Sequence, residues 1–239
     1  MPICHIHNYK YGYLAFKDKE GCTHFFNSNP NTYQEYVNDE FRNYVVPKTN
    51  ILDIGSNIGI FTVSFAQIAS DCKIHSFEAV STTRKLLTKS VELNKLENIQ
   101  LYNFGLSDEN KTVTINIDCD NLGNSSISQN LHEIDKMKNV PLRNVKKKKI
   151  EVKKLDDLKI DNISFIKIDI QEHELEFLNG AKETLKNNNA TVILEIPRRN
   201  ENEIKIHNDC VELMKEIGYN NYRICQGASK DYIFRKDSF

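Results

Sequence analysis

From residue 50 onward, short apolar runs rich in β-branched residues alternate with segments whose apolar positions recur every three or four residues. The runs at 50–54, 73–77, 99–104, 165–168 and 191–194 predict β-strands, several of them apolar on both faces, as strands covered by helices on each side must be. The helical spacing predicts helices over 60–69, 83–96, 174–186 and 204–217. Strand and helix in alternation build βαβ units with right-handed crossovers, so the expected fold is a doubly wound, mostly parallel α/β sheet of Rossmann-like form. Ahead of it, the aromatic-rich runs 9–16 and 22–26, split by a polar segment, predict a hairpin, and 31–46 predicts a helix. The interval 111–154 is less regular, with strands expected at 112–117 and 150–152 and a polar loop over 121–144. With no repeat and no interdomain linker, the expectation is one domain over 1–239, in which 1–46 is an extension and 47–239 the core.

Composition narrows the function. The chain of 239 residues is long enough to bury a parallel sheet between helix layers. Lys and Arg number 32 against 33 Asp and Glu, which removes any global positive field for nucleic acid or an anionic membrane. The basic run Lys146-Lys147-Lys148-Lys149 reads as a solvated, aggregation-resisting edge beside a strand. Residues 1–7 hold no basic segment followed by an apolar run, and no stretch of apolar residues is long enough to span a bilayer; a soluble, cytoplasmic protein is expected. The six cysteines form no Cys-x-x-Cys pair and the seven histidines are dispersed, so neither a zinc cluster nor a disulfide framework is expected.

The segment carrying most chemistry is Asp53-Ile54-Gly55-Ser56-Asn57-Ile58-Gly59, which follows the first strong strand and opens a helix. Gly55 and Gly59 permit positive φ and close backbone approach, and the helix start, with Ser56 and Asn57, offers donors to a nucleotide-like ligand. A dinucleotide fingerprint has three glycines as Gly-x-Gly-x-x-Gly; the spacing here is Gly-x-x-x-Gly with an acid two residues ahead. Asp53 at a strand tip repels a pyrophosphate and attracts a cationic sulfonium or ammonium group such as those of S-adenosylmethionine. Glu78 ends the next strand, where one carboxylate accepts from both hydroxyls of a ribose. Ser107 and Asp108 follow the third strand, in position to meet an adenine amino group. The bland alternative is that Asp53 and Asp108 cap turns and Glu78 is a solvated strand end.

In order and spacing, residues 45–196 resemble the FkbM family of methyltransferases. The resemblance is carried by Leu52-Asp53-Ile54-Gly55-Ser56-Asn57-Ile58-Gly59, Ser76-Phe77-Glu78, Gly105-Leu106-Ser107-Asp108, Lys154-Leu155-Asp156-Asp157-Leu158, Ile166-Lys167-Ile168-Asp169, Glu174-Leu175 with Leu178-Asn179-Gly180-Ala181, and Val192-Ile193-Leu194-Glu195-Ile196. It implies a class I methyltransferase fold, S-adenosylmethionine as cofactor, and O-methylation of a sugar, polysaccharide or small molecule. One departure stands out. The family reads Lys-Ile-Asp-Val-Glu-Gly where this chain has Lys167-Ile168-Asp169-Ile170-Gln171-Glu172, and a glutamate in a glycine's place brings a Cβ and a charge.

A methyl group on a sulfonium is already activated, so the enzyme must align the acceptor and, for a hydroxyl, remove its proton. Asp169 at the fourth strand tip and His173 one helical turn later are the candidate bases. For His173, a solvated or hydrogen-bonded helix-start histidine is the equal alternative. Glu195, at the fifth strand tip, is placed to bind acceptor hydroxyls. Two acids are too few for a hard-cation site, and no metal is expected. Asn124-Ser125-Ser126 is either an acceptor loop or a polar connector. Rival readings are an RNA ribose methyltransferase, since Lys167, Asp169 and Glu195 resemble a lysine-acid set, an NAD(P)-dependent oxidoreductase, and a non-catalytic protein of the same fold. Balanced charge weighs against RNA, the missing third glycine against NAD.

Overall fold

A computed structural model describes residues 5–16, 34–119, 121–127, 144–198, 200–228 and 230–239. The chain opens with a hairpin, β1 (His5–Tyr9) and β2 (Gly12–Phe16), paired antiparallel. The expectation of one continuous run over 9–16 is thus corrected: 9–16 contains its own turn, because Lys10 and Tyr11 break the alternation and Gly12 takes φ 137°. The run 22–26 lies outside the described residues. Helix α1 (Glu35–Tyr44) follows, shorter than its predicted span.

The core then alternates as expected: β3 (Asn50–Ile54), α2 (Ile60–Ile68), β4 (Lys73–Phe77), α3 (Ser81–Leu93) and β5 (Ile99–Tyr102). An excursion forms a separate sheet from β6 (Gly105–Leu106), β7 (Lys111–Asp118) and β8 (Val145–Lys153), in the order β6-β8-β7. The chain returns through β9 (Ile163–Ile168), α4 (Glu174–Asn179), α5 (Lys182–Asn187), β10 (Thr191–Glu195) and α6 (Glu201–Ile217). Two strands absent from the expectation close it, β11 (Asn221–Ile224) and β12 (Asp231–Arg235).

The main sheet has seven strands in the order β11-β12-β10-β9-β3-β4-β5, with β12 antiparallel to both neighbours and the others in that sheet paired parallel. Side-chain alternation sends Leu52, Ile54, Ile166, Ile168, Val192 and Leu194 to one face, where they pack against Phe177, Leu185 and Met214 of α4, α5 and α6. Ile51, Ile74, Phe165 and Ile193 point to the other, against Val37, Phe41, Phe61 and Phe65 of α1 and α2. Both faces are covered, which is the doubly wound arrangement.

Three further differences have local causes. The lysine run lies inside β8, paired with β7 from Thr114 to Ile117, so it belongs to a strand rather than flanking one. The single helix expected over 174–186 is two, because Gly180 sits against the Ser107 carbonyl, 1.9 Å from where a Cβ would stand. The third core strand stops at Tyr102, and Gly105–Leu106 turns away to pair with Val152–Lys153. Among the described residues no helix is long and apolar enough to cross a membrane.

Candidate active site

The carboxyl ends of β3, β4, β9 and β10 open on one cavity of about 440 Å³. Its first wall is the turn after β3. Gly55 takes φ 82°, and a Cβ there would stand 1.9 Å from the Asp169 carbonyl oxygen, so this glycine lets the β3 and β9 tips touch. Asn57 also has positive φ, at 50°, and its Oδ1 is buried without a hydrogen-bond partner. Glu78 closes that wall, its Oε2 accepting from Asn57 N at 3.0 Å and its Oε1 from Val80 N at 2.7 Å. Burial pushes its carboxyl up to about 7 against these two backbone donors.

The other end of the cavity is polar, and strand alternation explains why. Asp53, Lys167, Asp169, Glu195 and Asp231 continue the face on which Ile51, Phe165, Ile193 and Ile233 lie. Asp53 stands opposite Lys167, and Glu195 opposite Asp231. Lys167 Nζ lies 3.3 Å from Asp169 Oδ2 and 4.8 Å from the Phe61 ring centroid. Gln171 Nε2 donates to Asp169 Oδ1 at 2.7 Å and to Glu195 Oε1 at 3.4 Å. Lys230, which also lines the cavity, donates to Glu195 Oε1. Burial works against the charge of Asp169, yet Lys167, Lys230 and the Gln171 amide hold it below the ordinary carboxylate range. Burial and the neighbouring Asp169 push Glu195 up to about 7, against the pull of Lys230.

The roof comes from the three-stranded excursion. Ile115, Leu122, Ile127 and Ile150 form an apolar surface with Ala79 and Val80 at the Glu78 end, and Asn121, Asn124 and Ser125 line the cavity beside them. Ser126 Oγ donates to the Gln171 carbonyl at 2.7 Å, tying this roof to the β9 turn.

These positions sort the expected site residues. Gly55, Asn57, Glu78, Asp169, His173 and Glu195 line the cavity. Asp53 does not: it is buried beneath the turn, with Oδ2 accepting from Thr62 Oγ1 at 2.5 Å and Oδ1 unpartnered. Ser56 is spent on structure, its Oγ donating to the Asp53 carbonyl and accepting from Ser76. Gly59, φ 98°, starts α2 in contact with Leu87. Ser107 and Asp108 also stand away from the cavity lining: Ser107 Oγ bonds Asp108 Oδ1 and His173 Nε2, each at 2.9 Å, and Asp108 turns to Lys111. His173 is buried, which lowers its pKa and leaves the imidazole neutral, with Nδ1 3.6 Å from Glu176. Lys230 and the roof residue Leu122 carried no sequence signal.

The Methyltransferase FkbM domain matches residues 53–224, most of the chain. The chain belongs to the FkbM methyltransferase family. No curated protein matches it. Among solved structures it is similar to the FkbM methyltransferase of Methylobacillus flagellatus KT, at 14% identity and TM-score 0.51, over 82% of this chain and 50% of that one. A candidate rRNA-methylase of Clostridium thermocellum aligns at 10% identity and TM-score 0.52, over 87% of this chain and 97% of its own. Trm5b of Pyrococcus abyssi aligns at 12% identity and TM-score 0.51, over 97% and 55%. The chain therefore spans half the length of the solved FkbM methyltransferase, and these likenesses show the class I methyltransferase fold alone.

The methyl donor of the FkbM family is S-adenosylmethionine, and the residues on this cavity fit it. A carboxylate, an unpartnered amide oxygen at Asn57 and an apolar surface around Val80 offer acceptors and a nonpolar face to an adenosyl group. The family departure at Glu172 also finds its place. Gln171 and Glu172 both have positive φ, 54° and 69°, so the turn after Asp169 is in the region that favours glycine although neither residue is one.

Proposed function

We propose that this FkbM methyltransferase transfers a methyl group from S-adenosylmethionine to a hydroxyl of a carbohydrate or another polyhydroxyl small molecule. The observation that carries the reading is the division of one cavity into two chemistries. Its Glu78 end sets that carboxylate and the Asn57 amide against the apolar surface around Val80, with the polar side chains of Asn121, Asn124 and Ser125 beside it, and suits an adenosyl group. Its other end gathers Asp169, Gln171, Glu195 and Lys230, a set of charged donors and acceptors that suits a ligand rich in hydroxyls.

In this reading Gly55, Asn57 and Glu78 hold the cofactor directly, Glu78 accepting from the ribose hydroxyls. Asp53, Ser56 and Gly59 act from beneath, shaping the turn. Ser107 and Asp108 brace His173, which lines the acceptor path as a neutral imidazole. When bound, the cofactor supplies a methyl carbon on a cationic sulfur; Asp169, kept ionised by Lys167, favours that positive charge. The two lysines and the Gln171 amide compensate Asp169 and Glu195 from within the protein, so the reaction proceeds without a metal. Free thiols at Cys72, Cys119, Cys210 and Cys225 suit a reducing compartment, and the reading places the protein in the cytoplasm as one domain with a hairpin extension.

The test is mass spectrometry of carbohydrate, small-molecule and RNA fractions incubated with the protein and methyl-deuterated S-adenosylmethionine. Label is expected in a methyl ether of a carbohydrate or small molecule. Label confined to RNA ribose overturns the acceptor class.

A further inference from the structure

Asp169 and Glu195 face the same end of the cavity but are not equally available. Both oxygens of Asp169 are engaged, Oδ1 by Gln171 at 2.7 Å and Oδ2 by Lys167 at 3.3 Å. Glu195 accepts from Lys230 and Gln171 through Oε1 alone, and no described group bonds its Oε2. His173 spends Nε2 on Ser107, and its Nδ1, without a hydrogen-bond partner, is buried 3.6 Å from Glu176 and so closed to an acceptor in the cavity. Lys230 follows no helix or strand of the parallel core; it comes from the turn between β11 and β12 and reaches across to the tip of β10.

We propose that Glu195 takes the proton of the acceptor hydroxyl through Oε2, and that Lys230 is the positioning residue that fixes the carboxylate by its other oxygen. The assignment rests on the methyltransferase reading above. As the acceptor O–H bond breaks, its proton moves to Glu195 Oε2 and the oxygen's electron pair bonds the methyl carbon, while the C–S pair stays on sulfur. The carboxylate and the sulfonium lose their opposite charges in the same event, so no net charge is stranded in the cavity.

The surroundings set the two carboxylates apart. Asp169 from β9, Asp231 from β12 and Glu174 from α4 repel the charge on Glu195, Lys230 and Lys167 attract it, and Tyr36 of α1 stands close behind, donating to Asp231 at 2.7 Å. With burial added, Glu195 is raised to about 7 while Asp169 is lowered. A pair driven apart in this way divides into a group that exchanges protons near neutrality and one that stays ionised.

The experiment is a carbon-13 NMR titration of the full chain carrying labelled glutamate and aspartate carboxyls, run with and without S-adenosylhomocysteine. The expected result is a glutamate signal, lost in Glu195→Gln, whose midpoint lies near neutrality. In Lys230→Met that midpoint rises by about one pH unit, because removing a bonded cation disfavours the charge. Asp169 is expected to stay ionised throughout. A Glu195 midpoint in the ordinary carboxylate range, or one unmoved in Lys230→Met, overturns the proposal, as does an Asp169 signal titrating near neutrality. If Glu195→Gln does not fold, the Lys230→Met shift makes the assignment. Calorimetry with S-adenosylhomocysteine separates the two claims: failure to bind it counts against the methyltransferase reading, while the midpoint in the free protein still decides the proton acceptor.

Discussion

Glu78 faces the cavity while two backbone N–H groups already hold its oxygens, and its ionisation governs what it offers a ligand. Ribose hydroxyls donate to the carboxylate, so binding favours the charged form of a group whose midpoint in the free protein is about 7. Affinity for S-adenosylhomocysteine is therefore predicted to rise as pH increases through neutrality, with proton release, and a calorimetric pH series checks it. Glu78→Ala should weaken binding by about 1.5–3 kcal/mol for each charged hydrogen bond lost, and should flatten that series. Gly55 makes a different demand. A Cβ there would lie 1.9 Å from the Asp169 carbonyl at φ 82°, so Gly55→Ala is predicted to cost about 3 kcal/mol or more by chemical denaturation. The sequence spacing marked Gly55 correctly as a place of close approach, but the neighbour is the backbone of Asp169 in the described structure. Nothing in a one-dimensional pattern says that the tip of a strand more than a hundred residues later arrives there.

At the scale of elements, the turn after β9 concentrates unfavourable choices. Gln171 and Glu172 take positive φ in succession, and Glu174 beneath them is buried, accepting from Ile170 N at 3.3 Å with its Oε2 unpartnered. Burial raises Glu174 to about 8, above its unfolded value, so its contribution to stability is full at acid pH and lost as pH rises through 8. The ligand-free protein is predicted to melt lower as pH climbs from mildly acid to alkaline, and Glu174→Gln should reduce that slope in a thermal scan. Elsewhere positive φ has a simpler remedy: Lys159 is exposed at φ 52°, and Lys159→Gly is predicted to stabilise by about 0.5–1 kcal/mol. Periodicity located the parallel core well because its strands are apolar on both faces and its helices amphipathic. It found only 150–152 of β8, where Lys146 to Lys149 obscure the first part of a strand held by pairing with β7. It failed for β11 and β12, whose aromatic and charged alternation, Asn221–Ile224 and Asp231–Arg235, is short and interrupted by a turn. That omission hid Lys230.

For the whole molecule, one face of the sheet serves both stability and chemistry. Ile51, Phe165, Ile193 and Ile233 pack under α1 and α2, and the same alternation carries Asp53, Lys167, Glu195 and Asp231 to the strand ends. The compensation of these acids by Lys167, Lys230 and Gln171 predicts that methyl transfer survives chelation; loss of activity in EDTA with recovery in Mg²⁺ would show that a cation, not the lysines, balances the site. The placement of the cavity at the carboxyl ends of parallel strands is what a doubly wound sheet provides, whatever the ligand. In the proposed reading, Glu78, Asp169 and the Gly-x-x-x-Gly turn select the ligand. Isothermal titration calorimetry of the full chain against S-adenosylmethionine, S-adenosylhomocysteine and NAD therefore decides between a methyl-donor site and a dinucleotide site. Saturable binding of the first two is expected, with a one-to-one end point, and no heat from NAD; tight binding of NAD and none of S-adenosylmethionine or S-adenosylhomocysteine would overturn the methyl-donor assignment.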